Sequence, residues 1–284
     1  PKTHRLHGVG NMVFRYLVRP SSGSSRSFDA DTLLWRDAVV TNGGSVTLTR
    51  LVIVDQFVYD EKAAGLWTLT DDYLGFWAEN AIQGLTSLKQ RRLAVAVNSP
   101  TFTTDRNYVF NGTTNYVDTG FIPSTHAVAM ATSSVHAEVY ERTNISGTNA
   151  SLGTNSGSNR AIATFPRDGS NVLVAANGLG AVYTLSPLTS AGLTQFGRNG
   201  ATTADVYGAK NGVNLTQTSP HTALGASLPS VSFFVGGINL LGALNLPRAA
   251  SVGYTAWGAA LTSAQRLARY TNVQAWATSV GANV

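Results

Sequence analysis

The 284-residue chain contains no cysteine and few charged residues, and each absence excludes a class of protein. Without cysteine there is neither a disulfide framework nor a thiolate metal site. Charged residues make up 12% of the chain, about half of the usual share, whereas glycine occurs 28 times. This composition is typical of a turn-rich β protein with a weakly charged surface. Such a surface suits uncharged ligands such as sugars, and it also suits close packing into a particle.

Long apolar runs are missing as well. No run approaches the roughly 18 residues that a transmembrane helix needs, and the N-terminus lacks the apolar segment of a signal peptide. We therefore expect no membrane insertion, and the absence of cysteine fits assembly in a reducing cytoplasm.

Signature motifs of several enzyme classes are absent. There is no G-x-S-x-G elbow, and there is no P-loop or dinucleotide fingerprint. A glycanase on a β-sandwich needs two or three carboxylates on one face of a strand. Residues 97–284 contain six acids, and the closest pair, Glu138 and Glu141, is three positions apart and should point to opposite faces. We expect no catalytic residues and no enzyme activity, with this pair as the candidates if a bulge realigns them.

Positive charge is concentrated near the N-terminus. Residues 1–96 hold 11 of the 20 lysines and arginines, and no acid precedes Asp29. Residues 20–27 read as a Ser/Gly linker. We predict that residues 1–28 form a basic arm that contacts a neighbouring subunit. No nucleic-acid-binding signature accompanies the charge, so nucleic acid is not an expected partner. The predicted attachment residues are Lys2, Arg5, Arg15 and Arg19.

Residues 29–96 read as a small helical module. Asp29 can cap a first helix that stops near Asn42. Residues 47–64 are rich in β-branched side chains, but their apolar positions recur at helical spacing, so we favour a helix. Residues 71–92 carry apolar side chains at the spacing of one helical face, which predicts a further helix.

From residue 97 the pattern is that of β-structure. Four Asn-Gly pairs and Asp168-Gly169 separate short apolar runs, and this spacing favours a sandwich or jelly roll over βαβ units. Asn111-Gly112 lies between two such runs and predicts a tight hairpin over residues 107–121. Thr262 and Gln265 have the form of a capping box that starts a C-terminal helix. The other predicted strands are residues 127–135, 161–165, 172–176, 182–185, 194–198, 204–207, 231–235 and 251–257.

Several stretches resemble the concanavalin A-like (laminin-G-like) jelly rolls of phage and prophage virion proteins, of alphaproteobacterial type. The resemblance rests on residues 107–121, V-Y-G-A-K-N-G-V at 206–213, F-F-V-G-G at 233–237 and Y-T-A-W-G-A-A-L-T at 254–262. It implies a mainly β protein in which a concanavalin A-like jelly-roll sandwich spans residues 97–284. A basic arm and a helical attachment module precede the sandwich, and a C-terminal helix closes it.

The resemblance also implies a function. It points to a non-enzymatic virion structural protein, a fibre, spike or decoration subunit, assembled in the host bacterial cytoplasm. The expected partners are other virion proteins, sister subunits in a homo-oligomer with a trimer favoured, and host-surface polysaccharide. The alternatives are a purely structural capsid or tail decoration without glycan binding, and a glycan-degrading virion enzyme.

Two sets of candidate site residues follow. Sugar binding combines an aromatic platform with polar hydrogen-bonding groups, and the candidates are Tyr140, Arg142, Asn144, Tyr183, Arg198, Asn199 and Tyr207. No cofactor is expected, with calcium as the one candidate metal, because calcium takes several oxygen ligands. The densest group of oxygen-bearing side chains in the β region is Asp105, Asn107, Asn115 and Asp118.

Overall fold

The computed structural model describes residues 27–178, 180–220 and 224–284. The basic arm, with its predicted attachment residues Lys2, Arg5, Arg15 and Arg19, lies outside the described residues. Within them, no helix combines the length and the apolar character needed to cross a membrane.

Helices occupy a small part of the described chain, and the predicted caps at Asp29 and Thr262 are both present. The side chain of Asp29 accepts a hydrogen bond from the Asp31 amide, and that of Thr47 accepts one from the Arg50 amide. Thr262 and Gln265 form the predicted capping box. The predicted helices after Asp29, over residues 47–64 and at the C-terminus are therefore confirmed. The helices are α1 (Ala30–Thr41), α2 (Leu48–Ala63), α3 (Ala81–Leu85), α4 (Pro123–His126) and α5 (Ser263–Ser279), with a 3-10 turn at Thr203–Asp205.

Strands account for most of the remaining regular structure in the described residues. They are β1 (Thr70–Gly75), β2 (Val95–Val97), β3 (Thr101–Thr103), β4 (Asn107–Val109), β5 (Tyr116–Asp118), β6 (Ser134–Glu141), β7 (Leu152–Asn155), β8 (Ala161–Asp168), β9 (Asn171–Ala176), β10 (Ala181–Thr184), β11 (Gly192–Asn199), β12 (Val206–Lys210), β13 (Val213–Asn214), β14 (Thr216–Ser219), β15 (Phe234–Val235), β16 (Ile238–Leu240), β17 (Ala243–Asn245) and β18 (Ser251–Gly258).

The strands form two sheets that face each other. The eight-stranded sheet has the order β13-β12-β11-β6-β18-β4-β3, and β1 extends it by pairing with β18. The ten-stranded sheet has the order β14-β10-β9-β8-β7-β15-β5-β2, with β16 and β17 added beside β7. Pairing is antiparallel except between β16 and β7. The predicted fold class, a mainly β jelly-roll sandwich closed by a C-terminal helix, is confirmed.

The main core lies between the sheets and follows the two-residue period of the strands. On β6, Val135, Ala137 and Val139 belong to this core. Ile162 and Val174 enter it from β8 and β9 of the ten-stranded sheet. The intervening side chains therefore point to the outer faces of the two sheets. A ligand site can lie only on an outer face that other elements leave accessible.

The helices cover the outer face of the eight-stranded sheet. A second apolar cluster joins Phe57 of α2 and Trp276 of α5 to Tyr254 of β18. The rings of Phe57 and Trp276 are 4.6 Å apart, and those of Trp77 and Tyr254 are stacked at 5.8 Å. The outer face of the ten-stranded sheet carries a separate, smaller cluster instead.

The helix predicted over residues 71–92 is wrong. The structure has strand β1 there, then the short helix α3. Tyr73 packs in the helix-covered cluster and Leu74 in the core between the sheets, so β1 is buried on both faces. Because neither face of β1 is left to solvent, its polar and apolar residues do not alternate as they do in a half-buried strand, and the two-residue period is absent. Asp71 holds the distant loop before β6 by accepting hydrogen bonds from the amides of residues 128, 129 and 130 at 2.7–2.9 Å.

The tight hairpin predicted at Asn111-Gly112 is also wrong. Strand β4 pairs with β3 and β18 in one sheet, whereas β5 pairs with β2 and β15 in the other. The loop is nonetheless shaped by Asn111, whose side-chain oxygen accepts hydrogen bonds from the amides of Thr113 and Thr114. The turn chemistry was read correctly, but it carries the chain from one sheet to the other.

Most other predicted strands are found with shifted ends. The strand predicted over residues 127–135 begins only at Ser134, because residues 128–130 are held by Asp71. Strands β2, β3, β7, β14, β16 and β17 were not predicted. Asn211-Gly212 forms the expected two-residue turn, with both residues at positive φ. The division into a module at 29–96 and a sandwich at 97–284 stays a prediction.

Candidate functional site

The two carboxylates of the predicted catalytic alternative lie on opposite faces of β6, as their spacing predicted, and both are fully buried. Glu138 faces the helices, where it forms an ion pair with Arg269 of α5 and accepts a hydrogen bond from the Tyr254 hydroxyl at 2.8 Å. No bulge brings Glu138 and Glu141 together.

Arg269 also binds a second carboxylate, Glu61 of α2, at 2.9 Å. Glu61 accepts further hydrogen bonds from Tyr73 at 3.0 Å and Asn272 at 2.9 Å. Burial raises the pKa of Glu61, and the Arg269 charge opposes that shift. The cluster links α2, α5 and the sheet, and neither of its carboxylates is exposed. Its geometry is therefore that of a structural ion-pair network that holds the helices on the sheet.

Glu141 is held in the same manner on the other face. It pairs with Arg248 at 2.8 Å and accepts a hydrogen bond from the Ser151 hydroxyl. Arg248 in turn donates to the carbonyls of Ile145 and Asn149. Glu138 and Glu141 are therefore each held in an ion pair with a buried arginine.

Three of the predicted glycan-binding side chains are interior. Tyr140 and Arg198 have no exposed surface, and Tyr183 is 2% exposed. The Tyr140 hydroxyl bonds to Gln274 of α5, and Arg198 donates to the carbonyls of Ala176 and Thr202. Side chains buried to this extent cannot contact a sugar in solvent, so the structure gives these three residues framework roles instead.

The other predicted glycan-binding residues are dispersed. Arg142 donates to Ala282 and Asn107, and Asn144 accepts from Arg167 and Ser190. Tyr207 carries the Arg266 guanidinium 4.0 Å from its ring centre. Asn199 is exposed at the end of β11. The structure does not gather them at one surface, and their glycan role stays a prediction.

The predicted calcium ligands are bound to different protein partners. Asp105 forms an ion pair with Arg50, Asn115 accepts from the Asn111 amide, and Asp118 accepts from the Gly120 amide. Asn107 belongs to the eight-stranded sheet and Asp118 to the ten-stranded sheet. In the described part of the chain, no group of three or more His, Asp or Glu side chains could hold a metal ion.

A groove on the outer face of the ten-stranded sheet offers a cavity for a ligand. Its volume is about 360 Å³, within the range of small-molecule sites. Strands β8 and β9 supply most of the floor, and the β16–β17 hairpin stands beside it. The lining is mainly apolar with a few polar side chains, which is the usual composition of a ligand pocket.

Small side chains in register create the groove. Gly153, Ala163 and Ala175 lie directly opposite one another across β7, β8 and β9. A Cβ atom at Gly153 would lie only 2.8 Å from the Ile238 side chain, so the absence of a side chain here lets β16 pack closely against β7. The row leaves a depression between the larger side chains of the neighbouring positions.

Larger and polar side chains define the edges of the groove. Phe165 and Leu173 are paired on β8 and β9, and both are half-buried. Asp168 ends β8 and is the one carboxylate among the lining residues. Asn155 and Asn245 add amide groups from β7 and β17.

Sequence reasoning missed this site, although a signal was present. The run A-I-A-T-F at 161–165 alternates small or aromatic outer residues with inner ones, and Asp168-Gly169 indicates that the next strand returns beside it. Small side chains on one face of paired strands predict a depression there. The wall from Ile238 could not be anticipated, because β16 reaches β7 by a distant parallel pairing.

Comparison with known proteins relates the chain to others only through its β-sandwich. No family model matches the chain, and no curated protein matches it. The solved Trypanosoma rangeli sialidase in complex with 2,3-difluorosialic acid is 13% identical, with a TM-score of 0.46 over 78% of this chain. This chain spans 39% of the length of that sialidase.

Two smaller solved domains are also similar. Domain 4 of AbnA, a GH43 arabinanase of Geobacillus stearothermophilus, solved with arabinotriose, has 13% identity and a TM-score of 0.42. The match covers 70% of this chain and 96% of that domain. The Ruminococcus gnavus sialidase CBM40, bound to α2,3-sialyllactose, has 11% identity and a TM-score of 0.37, covering 54% of this chain and 91% of that one.

These matches go against the predicted function class. All three come from glycan-processing enzymes, and none of the three is a virion protein. The prediction of a non-enzymatic virion structural protein is corrected on this finding and is withdrawn, together with its host-attachment role. At such low identity the likeness concerns the architecture of the sandwich. Assembly into a homo-oligomer stays a prediction.

Proposed function

We propose that this chain is a glycan-binding β-sandwich of a glycan-processing protein, and that its ligand lies in the groove on the ten-stranded sheet. The observation that carries the proposal is the groove itself. It combines an apolar floor, one partly exposed aromatic ring at Phe165 and a polar edge at Asn155, Asp168 and Asn245.

This arrangement matches the chemistry of a sugar. One face of a pyranose ring presents C–H groups that pack on an aromatic ring, while the hydroxyls need hydrogen-bond partners when they leave water. Phe165 can provide the first contact, and the amides and the carboxylate at the edge can provide the second. The low charge of the chain, 12% of residues, also suits an uncharged ligand.

The groove is better suited to holding a glycan than to cleaving one. Most glycoside hydrolases use two carboxylates that flank the scissile bond. Asp168 is the one carboxylate in the lining, and Glu138 and Glu141 are buried in ion pairs elsewhere. We therefore assign binding to this surface, with any hydrolytic step assigned outside it.

A Phe165→Ala variant is expected to weaken glycan binding about fivefold, because the loss of one aromatic contact accounts for roughly 1 kcal/mol. The wild-type 284-residue chain is first screened on a glycan array, and the dissociation constant of the strongest ligand is then measured by calorimetry. Tyr59→Ala is the matched control, since Tyr59 is an exposed aromatic residue on α2, on the opposite side of the sandwich.

A second measurement does not depend on how the variant folds. In the wild type, addition of the selected glycan should shift the amide NMR signals of β8 and β9 while leaving those of α2 in place. Absence of any glycan ligand, or shifts confined to other elements, would overturn the proposal.

A further inference from the structure

The floor of the groove is too apolar for the hydroxyls of a bare sugar. Ala161, Ala163 and Ala175 are buried beneath it, and Ile238 and Leu240 stand at its side. A hydroxyl placed there would lose its water without gaining a partner, which costs free energy. A methyl group in the same position would gain contacts at no such cost.

Hydrogen-bonding groups are found at the edge of the groove. Asn155 and Asn245 come from strands on one side, and Asp168 lies at the end of β8. A ligand complementary to both the apolar floor and the polar edge has a short apolar substituent that contacts the floor and a polar ring that hydrogen-bonds at the edge. Sugars with an acetamido or short acyl ester group have this division.

The negative charge of the groove further limits which sugars it can bind. Asp168 is the only charged side chain among the residues that line the groove. A carboxylated sugar bound there would place a second negative charge near it, in a partly desolvated site where like charges repel more strongly than in water. The lining is therefore complementary to a neutral glycan.

We infer that the groove selects neutral glycans bearing an N-acetyl or short O-acyl group, and that Asp168 disfavours sialylated ones. This inference rests on the proposed function, because it specifies the ligand of the same groove. Its physical basis is the separation of an alanine floor from a polar edge that carries one negative charge.

Matched sugar pairs test the acyl group. The full chain is titrated with N-acetylated chito-triose and cello-triose, and with the methyl glycosides of N-acetylgalactosamine and galactose. In each pair, every sugar unit of the first member carries an acetamido group where the second carries a hydroxyl. The acetylated member of at least one pair should bind about tenfold tighter or more, the ratio expected for a methyl-sized group in an apolar pocket. Equal or tighter groove binding by the unacetylated sugars overturns the inference, as do array ligands of the groove that lack acyl groups.

The charge argument has its own variant. Asp168→Asn should improve binding of α2,3-sialyllactose severalfold relative to lactose, while changing the affinity for the neutral acetylated sugar by less than that. An unchanged ratio overturns the role of Asp168. Failure of the proposed function gives a different result, since then no sugar shifts the β8 and β9 amide signals at all.

Discussion

Replacing Arg269 by methionine is expected to lower the free energy of unfolding by about 3–5 kcal/mol. Arg269 is fully buried and forms ion pairs with both Glu61 and Glu138. Methionine has a similar length but no charge, so two carboxylates would remain in the interior without their cation. Urea unfolding at neutral pH, followed by tryptophan fluorescence, measures the change.

The cause of that loss can be separated from the loss of packing. A triple variant that adds Glu61→Gln and Glu138→Gln should recover a large part of the stability, because a neutral buried cluster carries no unpaired charge. Arg36→Met is the control, since Arg36 pairs with the exposed Asp37 at the surface, where such pairs contribute at most about 1 kcal/mol. A loss below about 1 kcal/mol in Arg269→Met would contradict the assigned role of the network.

The Arg269 network also shows why the helices could be predicted from the sequence, whereas the contacts between them could not. The caps at Asp29 and Thr262 predicted the starts of α1 and α5 correctly, because a cap is a local property of a few residues. The helical spacing of apolar residues predicted α2. That α2 and α5 meet through Arg269 depends on residues 208 positions apart in the chain. No local pattern encodes such a contact.

The errors in the β region have a related origin. The hydrophobic period identified most strands, since one face of each is buried in the main core. It failed for β1, where Tyr73 and Leu74 are both buried, and the residues that pair with it come from β18 at the other end of the chain. The residues at Asn111 predict a turn correctly, but turn residues carry no information about which sheet contains the next strand.

Residue type alone does not locate the candidate glycan site, because an aromatic side chain can lie either in the interior or at the surface. Tyr140 and Tyr183 were selected as aromatic platforms, but both fill the interior. Phe165 is the one aromatic residue among those that line the outer groove, and its importance comes from the small side chains of Ala163 and Ala175 beside it. A site formed by the absence of side-chain volume becomes visible only when strand register is known.

Stability should rise with pH between about pH 7 and pH 9, and Lys210 should account for a slope of about 1.4 kcal/mol per pH unit in that window. The Lys210 ammonium is buried and donates to the Ser190 carbonyl at 2.7 Å and the Thr194 hydroxyl at 3.2 Å. Burial lowers the pKa of Lys210 from 10.5 to about 7, with Glu141 opposing the shift.

The sign follows from the protons bound in each state. Between the folded pKa near 7 and the unfolded value of 10.5, the unfolded chain holds a proton on Lys210 that the folded chain releases. Raising the pH therefore favours the folded state through this window, by about 4–5 kcal/mol over its full width. Below pH 7 both states are protonated, and the folded state carries the full cost of a buried charge.

Lys210→Met should remove this slope, so that urea unfolding at pH 7, 8 and 9 gives a flatter profile than the wild type. The control is Lys62→Met. Burial opposes the shift at Lys62, but its hydrogen bonds to Asp29 and Asp31 raise the pKa of Lys62 above its usual value. Its contribution is lost only as the pH rises through that higher value, so this variant should keep the wild-type slope. Equal slopes in wild type and Lys210→Met would show that Lys210 stays charged in the folded state, with the nearby Glu141 carboxylate compensating for its burial.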